Sequence, residues 1–171
     1  MELAARIHAT SYLTGSFTLR SGLVASEYFD KYRFESDPAL LRDIATLAAT
    51  RLPPGVDGLA GLELGGVPIA TALSLATGLP AYFVRKEAKK YGTERLCEGG
   101  DVTGRQLLVV EDVVTTGGQI VMSTDDLRAA GAVVTDALCV VDRESGGPET
   151  LAGSGITLHS LFTMSELMAA G

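Results

Sequence analysis

Two stretches of this chain, Leu107-Leu108-Val109-Val110 and Ala137-Leu138-Cys139-Val140-Val141, contain almost nothing but apolar side chains. A strand with one face in water alternates apolar and polar residues. A strand that is apolar at every position is covered on both faces, which is the condition of a parallel sheet flanked by helices. Around these two runs the pattern alternates in βαβ fashion. Strands are predicted at Gly58–Leu62, Ala81–Arg85, Gln106–Glu111, Val133–Val141 and Ile156–Phe162, and helices at Val67–Ala76, Gly118–Ala130 and Met164–Ala169. Asp37-Pro38 opens a further helix, a capping acid followed by Pro at the first position, with Leu40, Leu41, Ile44, Leu47 and Ala48 as its buried stripe. Glu2 to Leu13 has helical spacing, and Phe17 to Asp30 reads as extended or hairpin-like, broken at Ser21-Gly22. The predicted fold is α/β: a single doubly wound, mainly parallel sheet in one domain over residues 1–171, with residues 1–35 forming a small N-terminal hood.

Composition removes several classes of function. Fourteen Lys and Arg against 21 Asp and Glu leave a net charge of -7, the wrong sign for a general nucleic-acid binder. Cys97 and Cys139, with His8 and His159, have no metal or redox spacing, so a reducing, cytoplasmic compartment is expected. No signal peptide is visible in the first twenty residues. The uncharged run from Leu64 to Val84 has the length of a membrane span, but Gly65, Gly66, Pro68, Gly78 and Pro80 divide it into loop, helix and strand. No membrane association is expected.

In an open α/β sheet, ligands sit beyond the carboxyl ends of the strands. After Leu107–Val110 comes Glu111-Asp112-Val113-Val114-Thr115-Thr116-Gly117-Gly118-Gln119. The small-residue turn offers backbone N–H groups, two hydroxyls and the field of a helix N-terminus, which together make a cradle for a phosphate. Thr-Thr-Gly-Gly alone is equally an ordinary strand–helix connection. The two carboxylates before it repel a phosphate unless they face another part of the ligand, such as sugar hydroxyls or a bound metal. No Gly-Lys-Ser/Thr follows, so this is not a Walker loop.

A second cluster follows the strand at Ala81. Arg85, Lys86, Lys89, Lys90 and Arg95 place five of the 14 basic residues within eleven positions. Such a run is usually a solvated face, but a long Gly-containing loop after a buried strand also suits a mobile lid carrying cations to a polyanion.

The run Val109 to Gln119 resembles the signature with which type I phosphoribosyltransferases bind 5-phosphoribosyl-1-pyrophosphate (PRPP). That resemblance assigns Glu111 and Asp112 to the ribose hydroxyls and Thr115, Thr116, Gly117, Gly118 and Gln119 to the 5-phosphate, with Val113 and Val114 alongside. Arg85-Lys86-Glu87-Ala88-Lys89 is similar to the catalytic loop of the orotate phosphoribosyltransferases within that family. It implies that Arg85, Lys86 and Lys89 contact pyrophosphate, with Lys89 the leading catalytic cation, beside Glu111 and Asp112, and with loop 85–100 shared across a homodimer. Tyr91 stands where those enzymes carry His; it can donate a hydrogen bond but cannot carry the charge of a protonated imidazole.

Phe17-Thr18-Leu19-Arg20-Ser21-Gly22, followed by Ser26, Tyr28 and Asp30, is similar to the same enzymes' N-terminal motif. There Arg20 would reach the substrate phosphates, and Tyr28 and Phe29 would lie against the orotate ring; hairpin packing is the other reading of Phe29. Asp142-Arg143 resembles a strand end whose Arg binds the orotate carboxylate, and Thr115 would also meet the pyrimidine. Gly65 and Gly66 match the pyrophosphate loop, where some members have Lys at the position of Gly65.

The activity implied is transfer of the phosphoribosyl group from PRPP to orotate, in pyrimidine nucleotide (UMP) synthesis. Mg²⁺ is the expected cofactor, held by PRPP and water, since no ligand cluster is evident. A purine or other base as acceptor remains open, as does a PRPP-binding regulator without catalysis.

Overall fold

The structure, a computed structural model, describes residues 2–18, 21–86 and 96–171. Arg20, Lys89 and Tyr91, three of the residues assigned above, lie outside the described residues.

The chain opens with helix α1 (Leu3–Ser11), strands β1 (Tyr12–Thr18) and β2 (Val24–Phe29), and helices α2 (Lys31–Ser36) and α3 (Pro38–Ala49). The βα alternation follows: β3 (Gly58–Leu62), α4 (Gly66–Thr77), β4 (Ala81–Val84), β5 (Cys97–Glu98), β6 (Gln106–Val114), α5 (Gly118–Ala129), β7 (Val133–Asp142), α6 (Gly147–Gly153), β8 (Thr157–Thr163) and α7 (Met164–Ala170). Six strands form one sheet in the order β5-β4-β3-β6-β7-β8, parallel throughout except for β5, which pairs antiparallel with β4. This is the doubly wound, mainly parallel sheet that the apolar strands required.

Although β6 is apolar at every core position, its side chains still alternate in direction. Leu108 and Val110 enter a core formed with α1, α3, α4 and α7, whereas Leu107 and Val109 enter a second core with α5 and α6. Each layer has its own apolar filling, and between them the runs Leu107–Val110 and Ala137–Val141 are buried.

Three boundaries differ from the expectation in ways that matter. First, β6 does not end at Glu111. Pairing with β7 continues to Val114 opposite Asp142, so the two acids lie within the strand and only three residues separate it from α5. Second, the hood is narrower than residues 1–35. The antiparallel hairpin β1–β2 stands as a separate sheet, while Ala4 and Ile7 of α1 and Phe34 of α2 are part of the main core. Third, the sequence pattern gave no sign of α2 or α6, which are six and seven residues long. At α3 the expected cap is present: Ala39 and Leu40 N–H groups donate to Asp37 Oδ1 at 2.8 and 3.0 Å. Among the described residues no helix is long and apolar enough to cross a membrane.

Candidate active site

The carboxyl ends of β3, β4, β6 and β7 lie side by side, and most of the candidate residues stand there. At the centre, Glu111, Val113, Val114, Thr115, Thr116, Gly117, Gly118 and Gln119 line one cavity of about 210 Å³. Gly117 caps α5 with φ +79°, a conformation that turns the chain sharply from strand into helix, and a Cβ there would press on Leu151 of α6 at 3.2 Å. The uncapped first turn of α5 thus opens directly onto the cavity, as an anion cradle demands.

Next to it, β3 runs into the turn Glu63-Leu64-Gly65-Gly66, whose Glu63–Leu64 peptide is cis. This turn is pressed hard against β6: a Cβ on Gly66 would lie 2.2 Å from the Val110 carbonyl oxygen, and one on Gly65 would lie on the Asp112 carboxylate. Arg85 and Lys86 follow β4 at the same end of the sheet. The Lys86 N–H donates to Glu63 Oε2 at 3.1 Å, while Arg85 Nε is buried with no hydrogen-bond partner among the described residues. The start of the basic loop is therefore tied to the glycine turn.

A second cavity, of about 390 Å³, collects Tyr28 and Phe29 from the hairpin and Arg143 from the end of β7, together with Tyr12, Ala25, Glu27, Met164 and Met168. Residues 115 positions apart are brought together here, as a site for a planar, negatively charged ring requires. Tyr28 is half-exposed and stacks on Phe17 at 5.5 Å. Phe29 does both things the sequence allowed, lining this cavity and packing against Phe34 at 6.2 Å. Arg143 is anchored through its backbone: its N–H donates to the Val114 carbonyl at 2.8 Å. Glu144 follows with φ +57°, and its Oε2 accepts from Ser165 N–H (2.9 Å) and Oγ (2.6 Å), tying the Arg143 turn to α7 and hence to Met164 and Met168. Thr115 lines the first cavity rather than this one.

The two adjacent acids separate, because neighbours on a strand project from opposite faces. Glu111 faces the cradle. Asp112 is wholly buried on the other face, where Lys31 Nζ lies 2.6 Å from its Oδ2 and the buried Glu35 carboxyl stands close enough to act on its charge. The sequence reading missed Lys31 and Glu35 because the short helix that carries them has no periodic pattern long enough to read.

Burial, reinforced by the hydrogen bond to Asp112 and by its charge, pushes the Glu35 carboxyl up to about 8. Burial and the Asp112 charge push Glu111 up to about 9. For Asp112 itself burial acts upward, but hydrogen bonds to Glu111, Glu35 and Lys31 outweigh it and hold the group below the usual carboxylate range. Between the ordinary glutamate value of 4.5 and these raised values, the folded chain binds more protons than the unfolded one. The stability contributed by Glu35 and Glu111 is therefore complete below about 4.5 and lost as pH rises through 8 to 9, while that of Asp112 is lost only in acid. The melting temperature of the ligand-free protein should fall steadily from pH 5 to pH 9, and Glu35→Gln should flatten that slope; equal slopes in the two proteins would refute the assignment.

No protein-family model matches the chain. It is 54% identical over 168 residues to the orotate phosphoribosyltransferase of Nocardioides sp. (strain ATCC BAA-499 / JS614), an alignment covering 98% of this chain and 94% of that one. Among solved structures, it resembles the Mycobacterium tuberculosis H37Rv orotate phosphoribosyltransferase in complex with Fe(III) dicitrate, with a TM-score of 0.89 at 34% identity over 96% of both chains. It is also similar to that enzyme in complex with PRPP, with a TM-score of 0.83 at 30% identity over 97% of this chain and 96% of the other. Identity above one half, sustained from one end of the chain to the other, joins the fold and the paired cavities in a single conclusion: the chain belongs to the orotate phosphoribosyltransferase family.

Proposed function

We propose that this site transfers the phosphoribosyl group of PRPP to orotate, giving orotidine 5-monophosphate and pyrophosphate in pyrimidine nucleotide synthesis. The observation that carries the reading is the pairing of cavities at one end of the sheet. One is built from backbone N–H groups and hydroxyls beside an acid; the other is built from aromatic rings and Arg143. In the reaction the C1–oxygen bond to pyrophosphate breaks, a bond from the pyrimidine nitrogen to C1 forms, and the proton of that nitrogen leaves to the released pyrophosphate or to solvent. The protein needs no nucleophile of its own. It positions the two substrates and stabilises charge on the departing pyrophosphate.

In this reading the Thr115–Gln119 turn binds the 5-phosphate and Glu111 accepts hydrogen bonds from the ribose hydroxyls. Backbone N–H groups of Gly65 and Gly66, with Arg85, Lys86 and Lys89, take the pyrophosphate. Tyr28, Phe29 and Arg143 hold orotate. Mg²⁺ is proposed as the cofactor, because PRPP supplies the hard oxygens that this ion takes. Bound so, the ion would lower the charge that builds on pyrophosphate. A homodimer and a cytoplasmic location complete the proposal; the free thiols of Cys97 and Cys139 suit a reducing compartment.

The test follows the fall in orotate absorbance with PRPP and Mg²⁺ present, with adenine, hypoxanthine and uracil assayed in parallel by product analysis. Turnover with orotate alone is expected. Turnover with another base would overturn the assignment of the second cavity, and silence with every base despite PRPP binding would make the chain a regulator.

Arg143→Lys separates the two cavities. A guanidinium matches a carboxylate with two parallel hydrogen bonds, an ammonium with one. Losing one charge-assisted hydrogen bond, worth about 1.5–3 kcal/mol, should raise the orotate KM roughly 10- to 100-fold. The PRPP KM should change less than about threefold, since Arg143 lines only the second cavity. An orotate KM that does not move would remove Arg143 from the base site.

A further inference from the structure

The cluster behind β6 is the part of the molecule that the proposed reaction leaves unexplained. Lys31 and Glu35 stand four residues apart on α2 and so share one face of that helix, turned toward Asp112. Neither lines the cradle or the base cavity. Glu35 is 7% exposed and Asp112 is wholly buried, whereas Lys31 keeps about a third of its side chain in solvent. Asp30, Glu111 and Cys139 are the other titratable groups acting on the cluster, and Tyr32 lies under the ammonium, 5.4 Å from ring centroid to Nζ.

We infer that Lys31 is a positioning residue for the sugar-phosphate site: its ammonium holds the buried Asp112 carboxylate against the Glu63–Gly66 turn. A carboxylate taken out of water protonates or swings away unless a cation compensates it. Lys31, at 2.6 Å, supplies that cation. The carboxylate so held fills the space that a side chain at position 65 would need, with Oδ2 1.7 Å from an ideal Cβ there. Its place therefore sets how closely the glycine turn approaches β6. The same turn rests on the Val110 carbonyl, one residue before Glu111, so a shift of Asp112 reaches both the pyrophosphate loop and the acid that faces the ribose.

Charge acts in the same direction. Glu35, Asp112 and Glu111 would together put three negative charges beside a bound polyanion. Lys31 neutralises one, and burial keeps Glu35 and Glu111 protonated near neutral pH. Lys31 thus reaches the substrate through Asp112, without touching it.

This inference rests on the reading of the site as PRPP-dependent, and the experiment separates the two. The wild type, Lys31→Met and Lys31→Arg are compared for kcat and for the KM of PRPP from pH 3 to pH 9. In the free proteins, the Asp112 carboxyl is titrated by ¹³C NMR, assigned with Asp112→Asn. Lys31→Met should raise the PRPP KM at least about tenfold near pH 7, the consequence of breaking a buried ion pair. It should also move the acid limb of kcat/KM, and the NMR titration of Asp112, to higher pH by about 1 to 3, because the ionised form has lost its cation. Lys31→Arg should restore both. A purely structural role would weaken activity and leave the acid limb in place, and that result overturns the inference. If the wild type fails to turn over, the parent reading falls; the NMR titration then decides, and an Asp112 unmoved by Lys31→Met refutes the role of Lys31. Should Lys31→Met not fold, Lys31→Gln, which keeps most of the length but removes the charge, yields the same two readings.

Discussion

Gly66→Ala is expected to lower the melting temperature by roughly 6 to 12 °C and to raise the PRPP KM at least tenfold. The added methyl would lie 2.2 Å from the Val110 carbonyl oxygen, 3.1 Å from its carbon and 3.3 Å from the Glu111 Cα. All three are backbone atoms of the central strand, held by pairing to β3 on one side and β7 on the other. They cannot move aside as a flexible side chain would. The first turn of α4 must instead lift off the sheet, losing packing of Ile69, Ala70 and Leu73 in the core and carrying Gly65 with it. Overpacking of this kind costs about 3 kcal/mol, near the upper end of its usual range, because neither partner can yield. Thermal unfolding and PRPP saturation curves measure the two effects. A normal melting temperature would mean that α4 does not sit as close to β6 as described, and a normal PRPP KM would detach the glycine turn from PRPP.

Lys89→Ala is expected to lower kcat roughly 100- to 1,000-fold, the scale of losing one charge-stabilising group at the leaving atom. The PRPP KM should change less than about threefold. Charge accumulates on pyrophosphate as the C1–oxygen bond breaks, so a cation aimed at it is worth more in the transition state than in the bound substrate. The expectation rests on the Arg-Lys-x-x-Lys resemblance, since Lys89 itself lies outside the described residues. Steady-state kinetics supply the first reading. Mixing Lys89→Ala subunits with subunits disabled at Asp112 supplies the second. If each loop serves the neighbouring subunit of a dimer, mixed dimers regain one intact site and part of the activity. An unchanged kcat removes Lys89 from the mechanism, and no recovery under verified subunit exchange removes the shared loop.

What could be read from the chain before folding was whatever local periodicity and spacing encode. The unbroken apolar runs at Leu107 and Ala137 required a sheet covered on both faces, and the order of strand, acid pair, small-residue turn and helix put a cradle at Thr115–Gln119. The resemblance of separate segments also named Tyr28, Phe29 and Arg143, but only as isolated residues. Their meeting in one cavity depends on the hairpin folding over the end of β7, a long-range packing event that no local pattern records.

The acid pair shows the limit most clearly. Glu111 and Asp112 read as two equivalent carboxylates because sequence gives adjacency and not direction. The register of β6 against β7 carries the strand through both residues, and strand geometry then turns one to the cradle and the other into the core. Lys31 and Glu35 were invisible for a related reason. They act from a six-residue helix whose place is set by Phe34 packing into the main core rather than by its own propensity. Hydrophobic pattern and backbone chemistry suffice for the sheet, its two layers and the small-residue turn at Thr115–Gln119. Which acid lines the cradle and which cation stands behind the other were settled by tertiary packing, because a buried charge is tolerated only where distant parts of the chain deliver its partner.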